Sequence, residues 1–315
     1  MPVRAVPVTD AAARILFGGL VDYAGLFPPA ATSMGAAVRN YAHYRAGGTA
    51  WMLGRFICPA SALEQFSHDA EPFLPRDAGA IPWRLSAIGT GDVATDLEAI
   101  AALNVRHRVC FDECGAVVDA YEVRVAGAPE VEAVTAALPS SITCYAEVPL
   151  HGDPAPLVAA IGAAGARAKV RTGGVTADAF PAAADLARVL GACVAHGVPC
   201  KATAGLHHAV SGTYPLTYAP DAPHGRMFGY LNLLLAAAVL EAGGSEDDAV
   251  LALETTDAGS IAIDEESLRW HTGGEVVTFD RPALVRVRET ILTSYGSCSF
   301  TEPVAEARAL GLLPA

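Results

Sequence analysis

Lysine is almost missing from this sequence. The 315-residue chain carries 21 basic residues, and only two of them, Lys169 and Lys201, are lysines. A preference for arginine wherever the choice is neutral accounts for the missing surface lysines. It does not say why these two remain. Basic charge is scarce as a whole, since 34 acidic residues leave a net charge of −13. That balance argues against a duplex nucleic-acid binder, which needs a basic footprint. Charged residues make up only 17% and hydrophobic ones 52%, which excludes a disordered chain. Long apolar runs are absent too. The longest, Leu233 to Leu240, is far shorter than the roughly 20 residues a membrane helix needs. The first thirty residues lack the pattern of a signal peptide. The seven cysteines are odd in number and scattered, unlike a disulfide framework. Cys110 and Cys114 stand four apart with no second pair at metal-site spacing. The expectation is a soluble, cytoplasmic protein with neither a membrane nor a nucleic acid as partner.

What is present is an alternation of strand and helix. Residues 50–59 (AWMLGRFICP), 83–88 (WRLSAI), 120–125 (AYEVRV), 142–148 (ITCYAEV), 168–172 (AKVRT) and 198–204 (VPCKATA) read as strands. Between them run helical stretches near 95–103, 130–138, 154–164 and from Thr176 or Asp178 to a stop at Gly197. Units of this kind imply a parallel sheet with right-handed crossovers. The fold class is therefore α/β, a (β/α) TIM-barrel-like domain over residues 1–315, incomplete or irregularly closed. Residues 250–279 alternate like short antiparallel strands, so 250–315 reads as a C-terminal extension with an appended β-hairpin. Residues 230–241 (YLNLLLAAAVLE) are apolar almost all round. They form a buried helix or a subunit-interface helix, which leaves a homo-oligomer open.

In such barrels chemistry sits at the carboxyl ends of the strands. Residues two apart on a strand share a face. Lys169 and Arg171 share one face, as do Lys201 and Thr203 on the next strand. Tyr145 and Glu147 do so on an earlier strand, and Glu122 one strand before that. If these faces point inward, they gather Glu122, Glu147, Lys169, Arg171 and Lys201. A lysine near other cations in a dry pocket becomes a nucleophilic amine, and a nearby carboxylate can move its protons. The same residues can instead form barrel-filling ion pairs. Residues 167–208 hold Arg167, Lys169, Arg171, Arg188 and Lys201 against Asp178 and Asp185. A cationic pocket in an acidic chain suits a small anionic substrate. Gly173 and Gly174 before a helix start can offer N–H groups to that anion. Arg55, at the end of the first strand, is a second candidate contact. His207 and His208 follow the last of these strands, His207 as acid or base and His208 as a binding group. A metal-dependent lyase or hydrolase using His207, His208 or His224 is an alternative, as is a non-catalytic binding protein. The main reading requires neither a cofactor nor a metal. The stretch from Asp22 to Pro29 packs against the domain bottom or covers the barrel mouth. Cys298, in SYGSCSF, has no base identifiable from the sequence.

The segment KVRTGG, a helix, then CKATAG resembles the late strands of class I aldolases of the deoxyribose-phosphate aldolase type. That resemblance covers residues 167–208. It implies a barrel in which Lys169 forms an imine and Lys201 tunes it. Arg171 stands where that family has a small residue. The whole chain also resembles a bacterial protein family through DYAGLFPPA, WMLGRFI, KVRTGG, KATAGLHH and SYGSCSFTEP, which implies a shared architecture and no particular activity.

Overall fold

The computed structural model describes residues 11–77, 79–110 and 115–313. Cys114 falls outside them, so the Cys110–Cys114 pair does too. Among the described residues thirteen strands follow one another. They are β1 (Val21–Tyr23), β2 (Leu53–Pro59), β3 (Trp83–Ile88), β4 (Ala116–Arg124), β5 (Thr143–Val148), β6 (Arg167–Arg171), β7 (Cys200–Thr203), β8 (Gly212–Pro215), β9 (His224–Met227), β10 (Ile261–Ile263), β11 (Ser267–Thr272), β12 (Glu275–Asp280) and β13 (Leu292–Ser297). Eight of these close into a barrel in the order β1-β13-β7-β6-β5-β4-β3-β2. Neighbours around the whole ring are parallel. Each barrel strand is followed by a helix before the next barrel strand or, after β13, by the helix Thr301–Ala309. The fold is the TIM-barrel-like α/β architecture expected, and it is closed rather than incomplete. Irregularity survives as register shifts between β1 and β2, β3 and β4, and β13 and β7.

Two barrel strands differ from the sequence reading. β1 has only three residues, Val21, Asp22 and Tyr23, all buried. β13 (LTSYGS) is rich in small polar residues that disfavour strands in isolation. Both are held by parallel neighbours on each side. They are also neighbours of each other, so together they close the ring. β13 lies within the stretch read as a C-terminal extension. The segment standing apart is the antiparallel sheet β10-β11-β12. Gly273 and Gly274, with φ of +56° and +83°, make the tight turn from β11 to β12. The strand reading of 250–254 gives way to a helix, Glu246–Glu254, started by a reciprocal cap between Ser245 and Asp248.

The local signals explain most other elements. Gly197 ends the helix Ala183–His196 in a left-handed conformation at φ +63°. That helix starts after Pro181, not at Thr176; one 3-10 turn, Ala177–Ala179, precedes it. The apolar helix Tyr230–Glu241 is buried within this chain from Tyr230 to Leu240, which removes its reading as a subunit interface. Among the described residues no helix is long and apolar enough to cross a membrane.

Candidate active site

Alternation along the strands sends one face of each into the lumen. The register places Glu147 beside Lys169 and Lys169 beside Lys201. Lys201 has no solvent exposure. Its Nζ donates to Asp22 Oδ2 at 2.7 Å and to Glu122 Oε1 at 2.7 Å, and lies 5.3 Å from the centre of the Tyr145 ring. Ser294 donates to the same Asp22 oxygen at 2.8 Å, and Ser86 to Glu122 Oε1 at 2.7 Å. Burial alone would lower the lysine's pKa, but Asp22 and Glu122 outweigh it and hold it above its ordinary value. Burial likewise would raise the Glu122 carboxyl, but Lys201 and Lys169 hold it well below the usual carboxylate range. Lys201 is therefore a fixed cation at neutral pH.

Lys169 is bound differently. Its Nζ lies 3.0 Å from Glu122 Oε2 and 3.2 Å from Glu147 Oε2. Glu122 Oε2 nevertheless has no aligned hydrogen-bond donor. These contacts are close in charge but poorly directed. Glu147 is half-buried and its other oxygen faces the exposed Arg124 at 3.4 Å. The lumen thus joins two lysines through one shared carboxylate, with a sealed end at Lys201 and a looser end at Lys169.

The other expected residues are placed less uniformly. Arg171 is exposed at the end of β6, beyond Lys169. Thr203 is half-buried at the end of β7, opposite Gly296 of β13. Arg55 is not at a strand end. The strand begins at Leu53, so Arg55 lies in its first half, where its guanidinium is paired with Asp119 at 2.6 Å. Its backbone N–H donates to Asp22 Oδ1 at 2.7 Å. Asp119 also pairs with Arg84, so one carboxylate serves two guanidiniums in the amino half of the barrel. Packing gives Gly173 and Gly174 a reason of their own to be glycine. A side chain at Gly173 would collide with the Phe180 ring, and one at Gly174 with Ala179. No helix opens directly behind them. Phe180 also leaves no room for a side chain at Gly205, where φ is +76°. Ala204, just before it, adopts φ +66°, at a cost of roughly 1–2 kcal/mol for a residue with a Cβ. Thr172 donates its hydroxyl to the Ala204 carbonyl and holds this turn.

The three histidines are separated in role. His207 is buried, with Nδ1 3.1 Å from Glu302 Oε2 and Nε2 3.8 Å from Cys298 Sγ. His208 is bonded to Glu306 at 2.6 Å and stacked on Tyr214. His224 is exposed on β9. Among the described residues no group of three or more His, Cys, Asp and Glu is arranged to hold a metal ion. The metal alternative built on these histidines loses its ligand set.

Sequence reasoning missed Asp22, Ser294, Ser86 and Glu302. It also left Cys298 without a base. Asp22 had a visible signal, a single carboxylate inside the apolar stretch Leu20–Tyr23. The segment after it leads to the mouth, not the bottom: Ala24 N–H donates to the Ser297 carbonyl, and Pro29 borders a cavity with His207. A separate apolar groove of about 1100 Å³ lies between the helices Val93–Cys110 and Ala128–Ala137. It contains none of the residues singled out from the sequence.

No protein-family model matches the chain, and no curated protein does. Among solved structures, the chain is similar to the Bacillus cereus spore cortex-lytic enzyme SleL. The two are 10% identical over 94% of this chain and 74% of that one, with a TM-score of 0.37. The Bacillus megaterium QM B1551 spore cortex-lytic enzyme SleL is 11% identical over 88% and 70%, with a TM-score of 0.34.

Proposed function

We propose that the protein is a lyase of the class I aldolase type, acting on a small anionic carbonyl compound through an imine on Lys169. The observation that supports this most is the contrast within one lumen. Lys201 is locked by two directed hydrogen bonds, whereas Lys169 faces Glu122 Oε2 without one. The looser amine is the one next to a half-buried carboxylate, Glu147.

In this reading Glu147 accepts a proton from the Lys169 ammonium. The free amine adds to the carbonyl carbon. Glu147 returns the proton to the carbonyl oxygen, which leaves as water once a second proton reaches it from the nitrogen. The resulting iminium withdraws electrons from the neighbouring carbon–carbon bond. Lys201 supplies a permanent positive charge beside the reacting nitrogen, and Glu122 positions both lysines. Arg171, exposed at the rim, meets the substrate's negative group.

Borohydride reduction in the presence of pyruvate, acetaldehyde and a wider carbonyl panel tests the proposal. The expected result is a mass adduct on the peptide containing Lys169, lost in Lys169→Arg, with none on Lys201. Failure to find any adduct across the panel, or an adduct confined to Lys201, overturns it.

A further inference from the structure

The loop region beyond the barrel mouth contains a second arrangement that the lysine chemistry does not use. Cys298 follows β13 directly, and His207 lies in the turn after β7, the strand next to it in the ring. The sulfur lies 3.8 Å from His207 Nε2 and 4.0 Å from Nδ1, so it lies against the ring between the two nitrogens, and Nδ1 is also 3.1 Å from Glu302 Oε2. Tyr218 donates to that Glu302 oxygen at 2.9 Å and its hydroxyl lies 3.7 Å from the sulfur. Glu302 sits in the first turn of the helix Thr301–Ala309, where a carboxylate is favoured. A thiol, an imidazole and a carboxylate are thus gathered in one cluster.

An open space adjoins it. His207 and Tyr218, which touch the sulfur, form one wall of a cavity of about 270 Å³ together with Glu302, and Cys298 stands directly behind that wall. Pro29, Thr217 and Met227 are among the other residues that line it. Burial alone would lower the His207 pKa, yet Cys298 and Glu302 outweigh it and push it up to about 9. The imidazole therefore carries a proton at neutral pH directly beside the thiol sulfur.

We propose that Cys298 is a covalent binding site for a small aldehyde, with His207 as its proton partner and Glu302 as the residue that orients His207. The thiol sulfur adds to the carbonyl carbon and forms a carbon–sulfur bond as its S–H bond breaks. The carbonyl π pair moves to oxygen, and that oxygen takes the proton from His207. The S–H proton replaces it on the imidazole, so a neutral thiohemiacetal results and the step needs no oxidant or reductant. A carbonyl fits this geometry because its addition creates an oxyanion where an N–H donor already stands.

The site does not rest on the imine reading, and the two report through different chemistry. Borohydride fixes an imine on lysine, whereas a thiohemiacetal is not retained by it. Chloroacetamide labelling followed by peptide mapping reads Cys298 directly. The same chain provides internal controls. Burial pushes the Cys58 thiol up to about 12 and the Cys144 thiol up to about 11. At neutral pH the labelling of Cys298 is expected to exceed that of Cys58 and Cys144 by at least about tenfold. His207→Gln should slow Cys298 labelling about tenfold and Glu302→Gln about threefold, with the labelling of the controls unchanged. An excess of propanal should slow labelling at Cys298 alone. Cys298 reacting no faster than the two controls in the unaltered protein overturns the site. Reactivity that propanal leaves untouched overturns the aldehyde assignment.

Discussion

The two lysines stand side by side on neighbouring strands, yet their surroundings differ. Lys201 reaches Asp22 of β1 and Glu122 of β4 through directed hydrogen bonds. Lys169 faces β5, and its partners are close but poorly aligned. Shared Glu122 couples them. The difference teaches that one lumen can hold a structural cation and a chemically available one a strand apart. What separates them is which strand supplies the opposing carboxylate.

Stability breaks the comparison most directly. Asp22→Asn leaves Lys201 buried with half its counter-charge, a change expected to destabilise by about 3–5 kcal/mol. Glu147→Gln removes a half-buried partner from the looser lysine, and its cost should stay below about 1 kcal/mol. Urea denaturation of both variants checks this. Equal losses would show that the two ends of the lumen are bound alike.

The second test inverts that order. Glu147→Gln should reduce borohydride trapping on Lys169 by about a hundredfold, since proton transfer by a positioned side chain contributes at least that much. The adduct yield at fixed time measures it. A variant that is stable but traps as fast as the unaltered protein removes Glu147 from the chemistry and leaves it a purely structural partner.

The contrast also shows what the sequence made legible. The lysines were visible because they interrupt apolar strands in a chain otherwise almost free of lysine. Glu122 and Glu147 were visible for the same reason, as period-two neighbours on flanking strands. Asp22 and Ser294 were not, although they complete the cluster. β1 is too short to show alternation, and LTSYGS has the composition of a loop. Both become strands because closed-ring pairing supplies hydrogen bonds on either side, a tertiary effect absent from local propensity. Gly173 and Gly174 acquired a second explanation. Their pattern suggested an anion cradle, and the packing of Phe180 and Ala179 independently requires glycine there. Arg55 was read without its partner because Asp119 lies on β4, 64 residues away.

The mouth region sharpens the comparison through pH. His207 stands at about 9 in the folded protein, above its ordinary value of 6.5. The folded state thus holds the proton more tightly, so the stability from this group is full below about pH 6.5 and is lost as pH rises through 9. The melting temperature of His207→Gln should fall about 3 °C below that of the unaltered protein at pH 6, and the gap should close by pH 10. Glu302, held below its ordinary value by His207 once the opposing effect of burial is overcome, adds a loss toward acid. A gap constant across that range would mean that His207 is neutral in the folded protein.

Arg171 gives the smallest effect and the most selective one. It is exposed at the end of β6, two residues beyond Lys169 on the same face. Arg171→Gln should leave stability within about 0.5 kcal/mol, as expected for a surface position. Its effect should appear only when the carbonyl compound carries a charge. Trapping of pyruvate on Lys169 should fall about fivefold, roughly the 1 kcal/mol of one solvent-exposed ionic contact, while trapping of acetaldehyde stays unchanged. The ratio of the two adducts in one mixture cancels any general loss of lysine reactivity. A ratio that does not move would separate the imine chemistry from anion recognition. The cationic character of residues 167–208 would then belong to the ion pairs that fill the lumen, and the substrate's charge would be read elsewhere on the rim.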